Sequence, residues 1–147
     1  MYSLEEFDKQ KTKVLKYILY KKRTENEIIT KFSKDIDEEM LNDIIEYLKE
    51  ADYINDYEYI EKTINQYMLL KNLSIKEIKY KLYSKGIDKR LLEKYIEKNY
   101  DILNKYEKKS AQNIIDKKKA SRAEEQEIKM YLLRKGYRSD NIELGEE

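Results

Sequence analysis

The stretch KEIKYKLYSKGID, residues 76–88, returns at 126–138 as QEIKMYLLRKGYR, and this self-similarity constrains the fold more than any other feature of the chain. A period of this length marks a modular array, in which each unit is one supersecondary element that buries its apolar face against a neighbour. At an offset of fifty, Val14, Ile64 and Ile114 coincide, as do Tyr17 and Tyr67, then Glu27, Glu77 and Glu127, then Ile28, Ile78 and Ile128, then Phe32, Leu82 and Leu132. Steps of three and four between matched positions trace one helical face, so what repeats is a buried stripe. Lys, Ile, Glu and Tyr are abundant enough to match by chance, and the rare residues decide the question. Two of the three glycines fall at equivalent sites, Lys85-Gly86 and Lys135-Gly136, and Thr24 pairs with Ser74 three residues ahead of the matched Glu.

Each unit reads as three helices. In the middle unit the first runs from about Tyr57 to Lys71 with Ile60, Ile64, Tyr67 and Met68 inward, and Asp56 is its expected N-cap. The second opens at SIKE, where Ser74 and Glu77 satisfy each other's backbone donors as a capping box. It passes through Ile75, Ile78 and Leu82 and stops at Gly86, a residue that readily adopts the left-handed conformation of a helix C-cap. The third starts at Asp88 and buries Leu91, Leu92, Tyr95 and Ile96. The first unit follows the same plan, with TENE as capping box and Met40, Leu41, Ile44, Ile45 and Leu48 in its third helix, but its turn is one residue shorter and has Asp35 in place of glycine. In the last unit only Ile142 and Leu144 remain after Gly136 to build a third helix. The expected organisation is all-α: an N-terminal segment and first repeat over 1–56, a second repeat over 57–103 and a third, with a short last helix, over 104–147. These tandem three-helix repeats stack into an elongated, curved, right-handed-type modular array.

Composition narrows the chemistry. Charged residues make up 41% of the chain, and there is no Pro, Cys or His. Helices laced with charge pairs suit that balance, whereas an all-β fold needs more turn residues. Without Cys and His, disulfides, thiol nucleophiles, structural zinc and the usual general base are all removed. No apolar run reaches the roughly 18 residues of a membrane span, and MYSLEEFDKQ lacks the features of a signal peptide. A cytoplasmic monomer without membrane contact is expected. Residues 1–50 carry 10 basic and 12 acidic side chains, residues 51–100 carry 10 and 8, and residues 101–147 carry 11 and 10, so the positive excess is local and central.

Candidate contact residues follow from charge and exposure. Lys76, Lys79, Lys81, Lys85, Lys89 and Arg90 surround the second helix of the middle unit, with Glu77 and Asp88 as the nearby acids in sequence. Such a cluster suits phosphates or an acidic protein groove, and equally an ordinary solvated helix face. DKKKASR, with Lys117, Lys118, Lys119 and Arg122, is a second basic patch with the same two readings. Among the 15 tyrosines, Tyr17, Tyr67 and Tyr95 fall on apolar stripes, whereas Tyr80 and Tyr83 flank theirs and are candidate surface anchors. Acidic pairs such as Glu38-Glu39 and Glu124-Glu125 lie in first helical turns, where the dipole favours them. No phosphate loop, metal spacing or nucleophile constellation is present, so no cofactor, metal or catalytic residue is expected.

The junction YINDYEYIEKTINQY from Tyr53 to Tyr67, the segment IKEIKYKLYSKGID from Ile75 to Asp88 and the three consecutive modules together resemble the RecX family, regulators of the RecA recombinase. In that family a near-constant Asp precedes an aromatic-rich helix and the second repeat carries a Leu-x-x-Lys-Gly-Ile turn; these look like Asp56 and Leu82, Lys85, Gly86 and Ile87 here. The resemblance covers about residues 12–142. With Ser74, Glu77 and Gly136, these motif residues read as structural. The resemblance implies a non-enzymatic regulator lying in the groove of the RecA nucleoprotein filament and restraining ATP hydrolysis, strand exchange or filament growth, with single- or double-stranded DNA at most a weak further partner. Two other readings stay open at this point. One is a helical module that binds DNA directly, against which the acidic third helix of the first unit argues; the other is an adaptor for an unrelated protein.

Overall fold

The computed structural model describes residues 1–145, and among these there is no β-strand. Eight α-helices follow in order: α1 (Leu4–Tyr20), α2 (Glu25–Phe32), α3 (Glu38–Glu50), α4 (Asp56–Leu70), α5 (Ile75–Tyr83), α6 (Lys89–Lys98), α7 (Tyr100–Ala120) and α8 (Glu125–Arg134), with a single 3-10 turn at Ser139–Asn141. The chain is all-α and repeats three times. Each repeat has its own core: Val14 to Ile54 in the first, Ile60 to Leu103 in the second, Ala111 to Tyr137 in the third.

The matched stripes are these cores. Ile28, Ile78 and Ile128 are all fully buried, as are Leu82 and Leu132, and burial of one such side chain contributes about 1.5–3 kcal/mol. Both expected capping boxes form: the Thr24 and Ser74 hydroxyls accept from the amides of Glu27 and Glu77, whose carboxylates accept in return from the amides of Thr24 and Ser74. Gly86 and Gly136 have φ of +81° and +97°. Each ends its helix in a Schellman motif, with Ile87 N–H reaching Leu82 C=O at 3.2 Å and Tyr137 N–H reaching Leu132 C=O at 3.0 Å. The shorter turn of the first repeat closes instead by Ile36 N–H on Phe32 C=O at 2.9 Å, so Asp35 keeps a negative φ.

Four expectations are corrected. Asn55, and not Asp56, caps α4, its side chain accepting from Glu58 N–H at 3.0 Å. Asp56 is the first helical residue and turns its carboxylate to another helix, as described below. Ile114 is only half-buried, because the stripe on α7 runs one residue out of step and Ile115 takes the inward place. Helix α7 begins at Tyr100, so a repeat boundary at 103/104 falls inside it; Leu103 and Tyr106 pack into the second core while Ala111 and Ile115 pack into the third. Finally, the short third helix of the last repeat is only a 3-10 turn, held by Asn141, whose side-chain amide donates to Glu107 at 2.7 Å and to Asn104 at 2.9 Å.

Successive repeats are joined by one hydrogen-bond pattern used twice. The Thr24 hydroxyl donates to Lys85 C=O at 2.9 Å, and the Ser74 hydroxyl donates to Lys135 C=O at 2.7 Å. Each cap hydroxyl thus serves its own helix and the Lys-Gly turn of the following repeat. The glycines are required twice over, by their positive φ and by this approach: a Cβ on Gly86 would collide with the Asn26 side chain, and one on Gly136 would lie 2.8 Å from Lys76 Cβ. The glycine-free turn of the first repeat makes its backbone hydrogen bonds within its own repeat, to Ile29 and Phe32. A carboxylate from the next repeat's first helix completes each joint, Asp56 accepting from Glu25 N–H at 3.0 Å and Glu107 from Ile75 N–H at 2.8 Å.

A candidate docking groove at the second joint

The joint between the second and third repeats opens outward into a groove of about 630 Å³ bounded by α5, α6, the start of α7 and the turn after α8. Its floor is aliphatic, from Ile75 and Ile96, both buried. Tyr80, Tyr83 and Tyr100 stand around it, and Lys76, Lys79, Lys89 and Arg138 bring positive charge to its rim. Tyr80 is 75% exposed and stands beside this aliphatic floor.

Local geometry sets the wall. Tyr83 packs against the second core and its hydroxyl donates to Glu93 at 2.9 Å. Burial and this acidic partner push the phenol up to about 12, so it remains a donor at any physiological pH. Glu93, held by the Tyr83 hydroxyl and by Lys79 at 3.4 Å, titrates below the ordinary glutamate range. Arg138 lies with its guanidinium 5.5 Å from the centre of the Tyr100 ring, while its backbone N–H donates to Glu107 at 3.1 Å. Glu107 is fully buried beneath the groove and accepts from Ile75, Arg138 and Asn141, which together replace its hydration. A second shallow trough continues past Lys79, Lys89 and Glu93 to Arg90, Lys94 and Glu97.

The structure brings together five of the residues singled out in the sequence, Lys76, Lys79, Tyr80, Tyr83 and Lys89, with Arg90 beside them. Tyr83 is part of the wall and not a free anchor, because its hydroxyl is engaged. Lys81 does not line the groove, and Lys85 faces the first joint beside Tyr17 and Glu27. The DKKKASR patch is elsewhere, and two of its cations, Lys118 and Lys119, are engaged within the third repeat. Lys118 stacks on Tyr131 at 3.9 Å from the ring centre, and Lys119 donates to Leu144 C=O at 2.6 Å and pairs with Glu125. Arg122 takes a left-handed φ of +66° where α7 ends, and Lys117 C=O accepts from Ser121 in the same turn. Sequence reading missed Tyr100, Arg138, Glu93 and Glu107. Of these only Glu107 left a signal, as a lone charge between Leu103 and Ala111 on an otherwise apolar stripe.

Among the described residues no group of three or more acidic side chains could hold a metal ion, and no helix is long and apolar enough to cross a membrane.

No protein-family model matches the chain. Individual relatives do. The sequence is 45% identical over 84 residues to the "Regulatory protein RecX" of Finegoldia magna, covering 56% of this chain and 41% of that protein. It is 30% identical to the protein of the same name from Staphylococcus epidermidis, over 98% of this chain and 56% of the relative, and 32% identical to that from Caldanaerobacter subterraneus, over 82% and 60%. The chain thus spans between 41% and 60% of the length of these relatives. The crystal structure of RecX from Lactobacillus salivarius superposes with a TM-score of 0.82 at 28% identity, over 95% of this chain and 93% of that one. A second RecX crystal structure, at 21% identity, gives a TM-score of 0.79 and speaks for the fold alone. Relatives of one name along nearly the whole chain and a matching backbone agree with the Lys-Gly turns and the Asp56 junction, and the chain belongs to the RecX family.

Proposed function

We propose that the protein is a regulator of the RecA recombinase that acts by binding the RecA nucleoprotein filament, as a cytoplasmic monomer and without chemistry of its own. Restraint of ATP hydrolysis, strand exchange and filament extension is the expected effect. The observation that carries this reading is the groove at the second joint, where Lys76, Lys79, Lys89 and the exposed Tyr80 converge on one face of a RecX-type array. A modular array suits a helical polymer as partner, because weak contacts along one ligand reinforce each other through effective concentration. Direct reading of duplex DNA by a third helix is disfavoured in the first repeat, where Glu38, Glu39, Asp43 and Glu46 are all exposed on α3 and would meet phosphate.

The test is ATP hydrolysis by the cognate RecA on single-stranded DNA as the protein is titrated in. Inhibition at well below one molecule per recombinase protomer, relieved in a Lys76→Glu/Lys79→Glu/Lys89→Glu variant, is the expected outcome. Unchanged hydrolysis at saturation would leave the adaptor reading in place.

A further inference from the structure

The groove has a character that a general basic surface lacks. Its floor is aliphatic, whereas its cations stand at the rim, and one of these, Lys79, is already shared with Glu93 at 3.4 Å. A nucleic-acid strand needs a run of cations that tracks its phosphates, with faces open for stacking. Here the cations encircle a single apolar recess, a carboxylate is built into the wall, and the whole chain carries a net charge of only +1. A recess of this size with a positive rim is complementary to one or two apolar side chains flanked by carboxylates.

We infer that this groove takes an acidic polypeptide segment of the partner protein, with an apolar or aromatic side chain seated on Ile75 and Ile96 against Tyr80 and flanking carboxylates on Lys76, Lys89 and Arg138. Tyr80 supplies rigid contact area at little cost in side-chain entropy, the property that makes tyrosine an interface anchor. Arg138 is oriented for the role, its backbone fixed by Glu107 and its guanidinium lying over Tyr100. The inference rests on the reading that the partner is a protein filament, and its test separates the two.

The probe is a short fluorescein-labelled peptide of glutamates around a Leu-Phe pair, with a Ser-Ser version and a labelled oligo-dT as controls, all followed by fluorescence anisotropy against the full chain. The Leu-Phe peptide should bind in a salt-sensitive way and the Ser-Ser peptide should not. Tyr80→Ser and Lys76→Glu/Lys89→Glu should each weaken binding by about tenfold, with unfolding midpoints unchanged because all three residues are exposed. Equal binding of both peptides, or binding of oligo-dT alone, would overturn the inference. The same variants are then tested for sedimentation with RecA filaments. If the wild type and variants co-sediment equally, the groove is not the contact although the filament reading stands. If the wild type fails to co-sediment yet binds the peptide in a Tyr80-dependent way, the groove stands and the filament reading falls.

Discussion

The two joints of the array use the same hydroxyl-to-carbonyl and carboxylate-to-amide bonds, yet they are differently finished. At the second, α7 packs directly on α5 and α6, and no pair of helices meets as closely across the first. Glu107 is fully buried with three donors, Tyr106 bridges Lys71 C=O and Leu73 N–H at 2.6 and 2.9 Å, and Ser110 meets the Tyr137 hydroxyl at 2.6 Å. At the first, Asp56 is a shorter acid with one donor, half-exposed, and the space beside it is a polar cleft of about 830 Å³ lined by Glu25, Lys49, Asp88 and Arg90. Its cross-repeat ion pair, Lys22 to Glu58 at 2.8 Å, is largely solvated and contributes little. The lesson is that a repeated bond pattern sets the geometry of stacking, while the depth of burial around it sets how firmly the modules are held.

The sharpest way to break this comparison is to remove each carboxylate. Glu107→Ala strips three donors, two of them in buried hydrogen bonds, of their acceptor and should cost about 3 kcal/mol in urea unfolding, against about 1 kcal/mol for Asp56→Ala. Equal losses would show that the joints are equivalent in solution.

Next in size is the glycine requirement, which the two joints share. Gly86→Ala and Gly136→Ala should each cost about 2 kcal/mol, through strain at positive φ and through collision with the preceding repeat. A substantially smaller loss at Gly86 would mean that the first joint opens to accommodate the methyl group, sharpening the contrast.

The smallest effect concerns pH. Burial raises the Asp56 pKa above its ordinary value of 3.8, against the opposing hydrogen bond from Glu25 N–H. The folded state therefore holds this proton more tightly than the unfolded state. Its contribution to stability grows as pH falls through the raised value toward 3.8, and is lost as pH rises again. The difference in unfolding midpoint between wild type and Asp56→Asn should follow that slope, other carboxylates cancelling in the comparison. A flat difference would place Asp56 in water and the first joint open.

What could be read from the sequence was local or periodic. The capping boxes at Thr24 and Ser74, the stripes through Ile28, Ile78 and Ile128, and the left-handed glycines all depend on residues within one or two turns of each other. The reason for those glycines was hidden, because Asn26 and Lys76 are sixty residues away along the chain from Gly86 and Gly136 and meet them only on stacking. Asp56 misled for a related cause. Position next to a helix start suggested a cap, while the actual donor, Glu25 N–H, lies thirty-one residues upstream. The groove was half legible, since charge marks its rim residues, but Tyr100 and Arg138 reach it only through the turn at Asn99 and the stacking of the third repeat.

The 21-residue helix α7 spans about 30 Å and belongs to two cores at once. In mechanical terms it is a splint. One continuous run of backbone hydrogen bonds therefore ties the second core to the third, whereas the first repeat is joined to the second by the short connection from Ala51 to Asn55 and by the bonds of the first joint.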